Sequence, residues 1–192
     1  MNEFFYRFPG PFVYISEIEN HSRWKEHVKE TVENWQDSQP SSFLEKGSNL
    51  STSYHSKNPV KEFLEPEFLK SVVWGPLDKA LEKADLAAHP AKSHLQNIWF
   101  NDYPQGGNMG AHVHSNSEWS GIYIVEMSQP NPTFFMYNST SNSPAFCTSL
   151  NTEENAKEGN VIIFPSHLVH WVHTTCEERL TVSFNVGSTY SR

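Results

Sequence analysis

The spacing of hydrophobic positions changes once along this chain of 192 residues. In the first half it is helical. Trp24, Val28, Thr31, Val32 and Trp35 recur every three or four residues, while Lys25, Glu26, Lys29, Glu30 and Glu33 face away from them. That pattern predicts a helix from about Asn20 to Trp35. A second stripe, Phe68, Leu69, Val72, Val73, Leu77 and Leu81, marks a helical region from Val60 to about Leu86. Pro66 suits a helix start, and Gly75-Pro76 should break or kink it. Both stripes are expected to pack on a sheet. Phe12 to Ile15 reads as a short strand after the turn Pro9-Gly10-Pro11, and Gln36 to Asn58, rich in Ser, Asn and Gly, reads as a long loop.

From Leu95 the period becomes two. Trp99, Asn101 and Tyr103 share one face of a strand, and Pro104-Gln105-Gly106-Gly107-Asn108 follows as a turn. Further strands are expected at Ala111–His114, Gly121–Val125, Thr133–Tyr137, Asn160–Phe164, Leu168–His173 and Leu180–Val186. Short strands with turn signals between them predict an antiparallel sandwich or barrel. The fold class is therefore mainly β with two N-terminal supporting helices. The length fits one domain spanning 1–192, with helical support over 1–94 and the β core over 95–192.

Composition narrows the partners. The formal net charge is −8 and no Lys/Arg cluster occurs, which argues against nucleic acid held by its phosphates and against a membrane surface. No apolar run approaches the roughly 20 residues that span a bilayer. The start, Met1-Asn2-Glu3-Phe4-Phe5-Tyr6-Arg7, lacks the features of a signal peptide. Cys147 and Cys176 form no metal-type pair and read as free thiols, so a cytoplasmic location is expected. Oligomeric state is not encoded legibly.

The candidate chemistry sits in the second half. His112 and His114 are one residue apart, so on a strand both rings leave the same face. His170 shares its strand face with the apolar Leu168 and Val172, and a buried imidazole needs a partner. If the three converge, a metal explains the proximity better than shared protonation, and iron(II) or zinc both suit imidazole. On the last strand Arg179, Thr181, Ser183 and Asn185 alternate with Leu180, Val182, Phe184 and Val186. A polar face on a covered strand should line a cavity. Arg179 there calls for an anion, its planar fork matching a carboxylate with the Thr181 or Ser183 hydroxyl as a further donor. The alternative is a solvent-facing Arg179 paired with Glu177 or Glu178.

Taken in order, these segments resemble the iron(II)/2-oxoglutarate-dependent oxygenases, in particular a group found in bacteria and phages. The resemblance runs from about Trp99 to Asn185. It rests on Asn101-Asp102-Tyr103-Pro104-Gln105-Gly106-Gly107, His112-Val113-His114, Ser120-Gly121-Ile122-Tyr123, Glu158-Gly159-Asn160-Val161-Ile162-Ile163-Phe164-Pro165-Ser166, His170-Trp171-Val172 and Arg179-Leu180-Thr181-Val182-Ser183-Phe184-Asn185. It implies a double-stranded β-helix (a cupin-like jelly roll) that holds Fe(II) through His112 and His170 and takes 2-oxoglutarate as cosubstrate. Arg179 falls where the family seats the far carboxylate, with Thr181, Ser183, Tyr103 and Asn101 beside it. One departure matters: the family pattern is His-x-Asp or His-x-Glu, and here His114 occupies the carboxylate slot. His114 is taken as the third ligand, the alternatives being water or Glu118.

The implied reaction hydroxylates an unidentified small-molecule or peptide substrate and releases succinate and carbon dioxide. Trp119 and Trp171 are candidates for lining the substrate entrance, although packing is the ordinary role of such residues. The rivals are a three-histidine cupin dioxygenase that needs no cosubstrate, and a non-catalytic jelly-roll module binding a metal or ligand.

Overall fold

The computed structural model describes residues 3–7, 11–35, 39–40, 50–54, 64–86, 92–138, 147–152 and 155–189. Strands β1 (Glu3–Arg7) and β2 (Phe12–Glu17) lead into helix α1 (His21–Asn34). Two short strands, β3 (Gln39–Pro40) and β4 (Ser51–Thr52), precede helix α2 (Pro66–Leu69), a π-helical turn (Lys70–Trp74) and helix α3 (Gly75–Lys83). Then come β5 (Lys92–Tyr103), β6 (Met109–His112), β7 (Trp119–Met127) and β8 (Thr133–Asn138). The last four strands are β9 (Cys147–Asn151), β10 (Asn160–Pro165), β11 (Val169–Val172) and β12 (Arg179–Thr189).

The strands form two antiparallel sheets. The major sheet runs β1-β2-β10-β7-β12-β5-β4-β3 and the minor sheet β6-β11-β8-β9. This is the antiparallel sandwich with N-terminal helices that the alternation predicts, in the jelly-roll form that the resemblance implies. Side-chain alternation sorts the major sheet into two faces. Phe12 and Tyr14 of β2, Val161 and Ile163 of β10, and Tyr123 and Val125 of β7 meet the helices. So do Val182 and Phe184 of β12 and Ile98 and Phe100 of β5, all packed with Trp24, Val28, Trp35, Phe68, Val72 and Leu77. The intervening residues face the minor sheet. Val13, Ile15, Ile122, Ile124, Ile162 and Phe164 close one end of that inter-sheet layer with Phe135 and Leu168. The other end is polar.

Three expectations change. The N-terminal half supplies more strand than the one expected at Phe12–Ile15: β1 pairs with that strand, β2, which in turn pairs with β10 through Asn160↔Glu17 to Ile163↔Tyr14. Within the expected loop Gln36–Asn58, the described parts include β3 and β4, and Thr52 pairs with Asn101 at the edge of β5; the rest of that loop lies outside the described residues. The second helical region starts at Pro66, residues 60–63 lying outside the description, and Gly75-Pro76 does not break it. Pro76 has no N–H to give the fourth residue back, and the Gly75 amide bonds instead to the Lys70 carbonyl, five residues back. One wide turn absorbs the missing donor. Cys176 is an exposed free thiol, while the thiol of Cys147 and the turn residues Pro9-Gly10 lie outside the description. No described helix is long and apolar enough to cross a membrane.

Candidate metal centre

His112 closes β6, and His170 stands directly opposite it on β11. His114 lies two residues past the end of β6, although the sequence predicts it within a strand Ala111–His114. Its backbone is still fixed, because its amide donates to the Ser166 carbonyl at 2.9 Å. The chain stays extended there, so Val113 points to solvent and both histidines point inward. Ring centroids are 5.2 Å apart for His112 and His114, 4.2 Å for His112 and His170, and 5.0 Å for His114 and His170. One ring nitrogen of each lies within 4.8 Å of the others, a group able to hold a metal ion. Metal–imidazole bonds of about 2.1 Å make a coordination sphere about 4.2 Å across, close to that spread.

The hydrogen bonds say which nitrogen faces the centre. His112 Nδ1 lies 2.8 Å from the Gly110 carbonyl and His170 Nδ1 2.9 Å from the Leu168 carbonyl. His114 Nδ1 lies 2.5 Å from Asn185 Oδ1 and 2.9 Å from Ser120 Oγ. Carbonyl oxygens only accept, so each Nδ1 carries the proton and each Nε2 is left with the lone pair a metal requires. Protonation does not compete at neutral pH. Burial holds all three rings below the usual imidazole range, that of His114 at about 4 and that of His170 well below. Glu118, the alternative third ligand, is outside this group and takes a hydrogen bond from Ser188.

Arg179 begins β12 and is almost completely buried. Its guanidinium crosses to the minor sheet, where Nη2 donates to Thr133 Oγ1 at 3.1 Å and Nη1 reaches Asn131 Oδ1 at 3.4 Å. It lies 5.5 Å over the ring of Tyr103, its cross-strand partner on β5. No acidic group pairs with it among the described residues, and its Nε is buried without a partner. The solvent-facing alternative with Glu177 or Glu178 is thereby excluded. Burial pushes the guanidinium pKa down, opposed by the Tyr103 hydroxyl, whose own pKa burial raises. A cation so enclosed lacks its counter-charge.

Thr181, Ser183 and Asn101 lie between Arg179 and Asn185 on the same face, with Thr181 opposite Asn101. Asn101 bridges two hydroxyls. It accepts from Thr52 Oγ1 at 2.7 Å and donates to Ser183 Oγ at 3.2 Å, which leaves the Ser183 proton available. The inter-sheet space thus brings together the three histidines with Arg179, Thr181, Ser183, Tyr103 and Asn101, the histidines toward Asn185 and the guanidinium at the far end. Sequence reasoning missed Thr133 and Asn131, and it gave no role to the buried cluster of Asn185, Ser120 and Ser166. Sequence distance hides these contacts, although Ser120 and Ser166 do fall in the motifs quoted above.

A cavity of about 530 Å³ opens beside His112 and His114, lined also by Thr52, Tyr54, Trp99, Asn101, Asn116 and Asn185. Trp99 and Tyr54 meet there edge to face at 4.8 Å. The two tryptophans suggested for the entrance are elsewhere. Trp119 stacks on Phe12 on the helix side of the major sheet, and Trp171 stacks on Phe134 and donates to His173. Its β-strand parity turns each of them away from the cleft.

The jelly roll thus brings three convergent imidazoles and a buried guanidinium, without an acidic partner among the described residues, into one inter-sheet space. Residues 97–185, a little under half of the chain, match the family model described as "Putative 2OG-Fe(II) oxygenase". A search of the curated proteins gives no match. Among solved structures the chain is similar to HygX from Streptomyces hygroscopicus with nickel and 2-oxoglutarate bound, at 11% identity and a TM-score of 0.62, covering 93% of this chain and 83% of that one. It is similar to the epimerase SnoN from nogalamycin biosynthesis, solved with Fe3+ and alpha ketoglutarate, at 10% identity and a TM-score of 0.57 over 95% and 82% of the two chains. A prolyl hydroxylase from Trichoplax adhaerens in complex with a peptide fragment gives 10% identity and a TM-score of 0.55 over 91% and 83%. At these identities the likeness is one of fold.

Proposed function

We propose that this protein is an iron(II)- and 2-oxoglutarate-dependent dioxygenase that hydroxylates a small-molecule or peptide substrate, releasing succinate and carbon dioxide. The observation that carries the reading is Arg179, a buried cation with an unpartnered Nε in the same inter-sheet space as three convergent imidazoles whose Nδ1 atoms lie against oxygen acceptors. In this reading His112, His114 and His170 hold the metal, and the donor set fits it: three neutral nitrogens, each oriented by a hydrogen bond at Nδ1. Iron(II), when bound, supplies the redox chemistry that couples oxidation of the keto acid to oxidation of the substrate.

The chain's own part is positioning. Arg179 seats the far carboxylate of the cosubstrate by its fork, Thr181 and the Ser183 hydroxyl add donors, and Tyr103 and Asn101 wall the same space. Three neutral ligands leave a bound dication one unit more positive than two histidines and a carboxylate would, which favours an anionic keto acid. The cavity beside His112 and His114 receives the substrate, and residues 1–192 act as one domain in which 1–94 support the β core of 95–192. Anaerobic titration of the protein with iron(II) and then 2-oxoglutarate tests this. A visible charge-transfer band that appears only with both, and is lost in Arg179→Ala, is expected. A three-histidine dioxygenase that needs no cosubstrate would give no such band, and a binding module would form no succinate in air; either outcome overturns the reading.

A further inference from the structure

The departure at His114 raises a question of geometry. A carboxylate ligand needs little help to present an oxygen, whereas an imidazole presents its Nε2 lone pair only in one of its two neutral tautomers. For His112 and His170 that choice is made by backbone carbonyls two residues earlier in the chain, those of Gly110 and Leu168. His114 has no such carbonyl contact. The oxygen at its Nδ1 comes from another strand, 71 residues away, as the side-chain carbonyl of Asn185.

We propose that Asn185 is the positioning residue that makes His114 a metal ligand, its side-chain amide fixing the ring's tautomer and orientation. Two features support it. Asn185 Oδ1 is itself oriented, because Ser120 Oγ donates to it at 2.8 Å, and Ser120 in turn lies 2.8 Å from Ser166 Oγ. If Ser120 gives its proton to Asn185, the Ser120–Ser166 contact must be donated by Ser166, so the chain of protons runs one way and ends at the amide oxygen. All three side chains are buried, so water is a poor substitute for any of them. The second feature is the choice of an amide. An aspartate here would accept the same bond but bury a negative charge between the sheets, whereas the amide carbonyl accepts without adding charge. The backbone hydrogen bond from the His114 amide to the Ser166 carbonyl ties the ligand to the same cluster. His114 thus reaches the centre from a segment outside the sheet ladder, held by side chains where the other two are held by backbone.

The inference rests on the ligand set proposed above, and two readouts keep the two claims apart. The first uses metal-free protein with 15N-labelled histidine, where ring nitrogen shifts report the tautomer. The native His114 is expected as the Nδ1–H form, and Asn185→Leu should convert it largely to Nε2–H or a mixture, leaving His112 and His170 unchanged as internal controls. The second is anaerobic titration with cobalt(II), following its visible absorption. Asn185→Leu should weaken binding about 10- to 100-fold, the range for loss of a residue that orients a ligand. Asn185→Asp, which restores the acceptor, should bind within a few-fold of native. Ser120→Ala, a smaller change in the same cluster, should show the tautomer shift and the affinity loss in weaker form. An unmoved His114 tautomer in both Asn185→Leu and Ser120→Ala overturns the inference while leaving the ligand set intact. A shifted tautomer with unchanged cobalt affinity shows that His114 is not a ligand, and then both fall.

Discussion

The two faces of β12 do opposite work. Leu180, Val182, Phe184 and Val186 belong to the apolar cluster against the helices, where burial itself is the main interaction. Arg179, Thr181, Ser183 and Asn185 are equally buried, yet they face the minor sheet across a layer that holds hydrogen-bond chains, three imidazoles and an uncompensated guanidinium. One strand thus separates stability from chemistry by the parity of its residue numbers. The difference teaches where each kind of damage will appear. On the helix side a substitution should move the folding equilibrium and leave the site's affinities intact once the chain is folded. On the cleft side it should do the reverse, because polar burial without a full set of partners contributes little to stability.

The largest effect is expected on the helix side. Phe184 is fully buried, and Phe184→Ala should lower unfolding free energy by about 3–5 kcal/mol, read from urea denaturation; cobalt(II) affinity of the folded fraction should stay within about threefold. Arg179→Met is the matching test of the cleft. Losing a buried, bonded charge from a ligand contact typically costs about 2–5 kcal/mol of binding, so 2-oxoglutarate affinity should fall by about 30-fold or more. The thermal midpoint should hold or rise, because an unpaired cation has been replaced by an apolar side chain. A large fall in stability would break the comparison. Gly121→Ala is the sharper version. An added Cβ would stand 2.1 Å from the Phe184 ring, its cross-strand neighbour. The overpacking should cost about 1–3 kcal/mol by urea denaturation, with the cleft side of β7 undisturbed.

How much of this the sequence revealed depends on range. Alternation along Arg179–Val186 assigned both faces of β12 correctly, because strand parity is a local property. The stripes through Trp24–Trp35 and Phe68–Leu81 found the helices for the same reason, and the pairing of His112 and His114 on one face survived the end of the strand. What stayed hidden was decided by partners far along the chain. β4 is two residues long and exists because Thr52 pairs with Asn101. The acceptors of Arg179 sit on and before β8, 46 and 48 residues away. Trp119 and Trp171 are next to metal-site segments in sequence, but parity sends their rings to other faces. The π-helical turn at Lys70–Trp74 was visible only as a conflict between an unbroken stripe and Pro76, and the conflict was settled by shifting one hydrogen bond rather than by ending the helix.

The smallest expected effect concerns charge on the helix side, and it sharpens the contrast with Arg179. Lys25 of α1 lies 3.0 Å from Glu126 and 2.9 Å from Glu158, Lys29 also reaches Glu126, and His21 reaches Glu158. Here the lysines that hold α1 to β7 and to the segment before β10 are paired and partly wet. Burial alone would raise both carboxyls, but the Lys25 and Lys29 ammoniums at Glu126, and Lys25, the Met127 amide and His21 at Glu158, outweigh it and hold both below the usual carboxylate range. Folded-state values below the unfolded ones mean that this contribution is complete above the pKa of a free glutamate, about 4.3, and is lost as pH falls through the lowered values. Because both carboxylates are about one-third exposed, solvent screening limits the whole network to about 1 kcal/mol or less. The expected outcome is a shallow fall in urea stability between about pH 5 and pH 3, reduced in Lys25→Met. If Lys25→Met instead cost as much as Phe184→Ala at neutral pH, the helix side would depend on charge as heavily as on burial, and the division of labour across β12 would not hold.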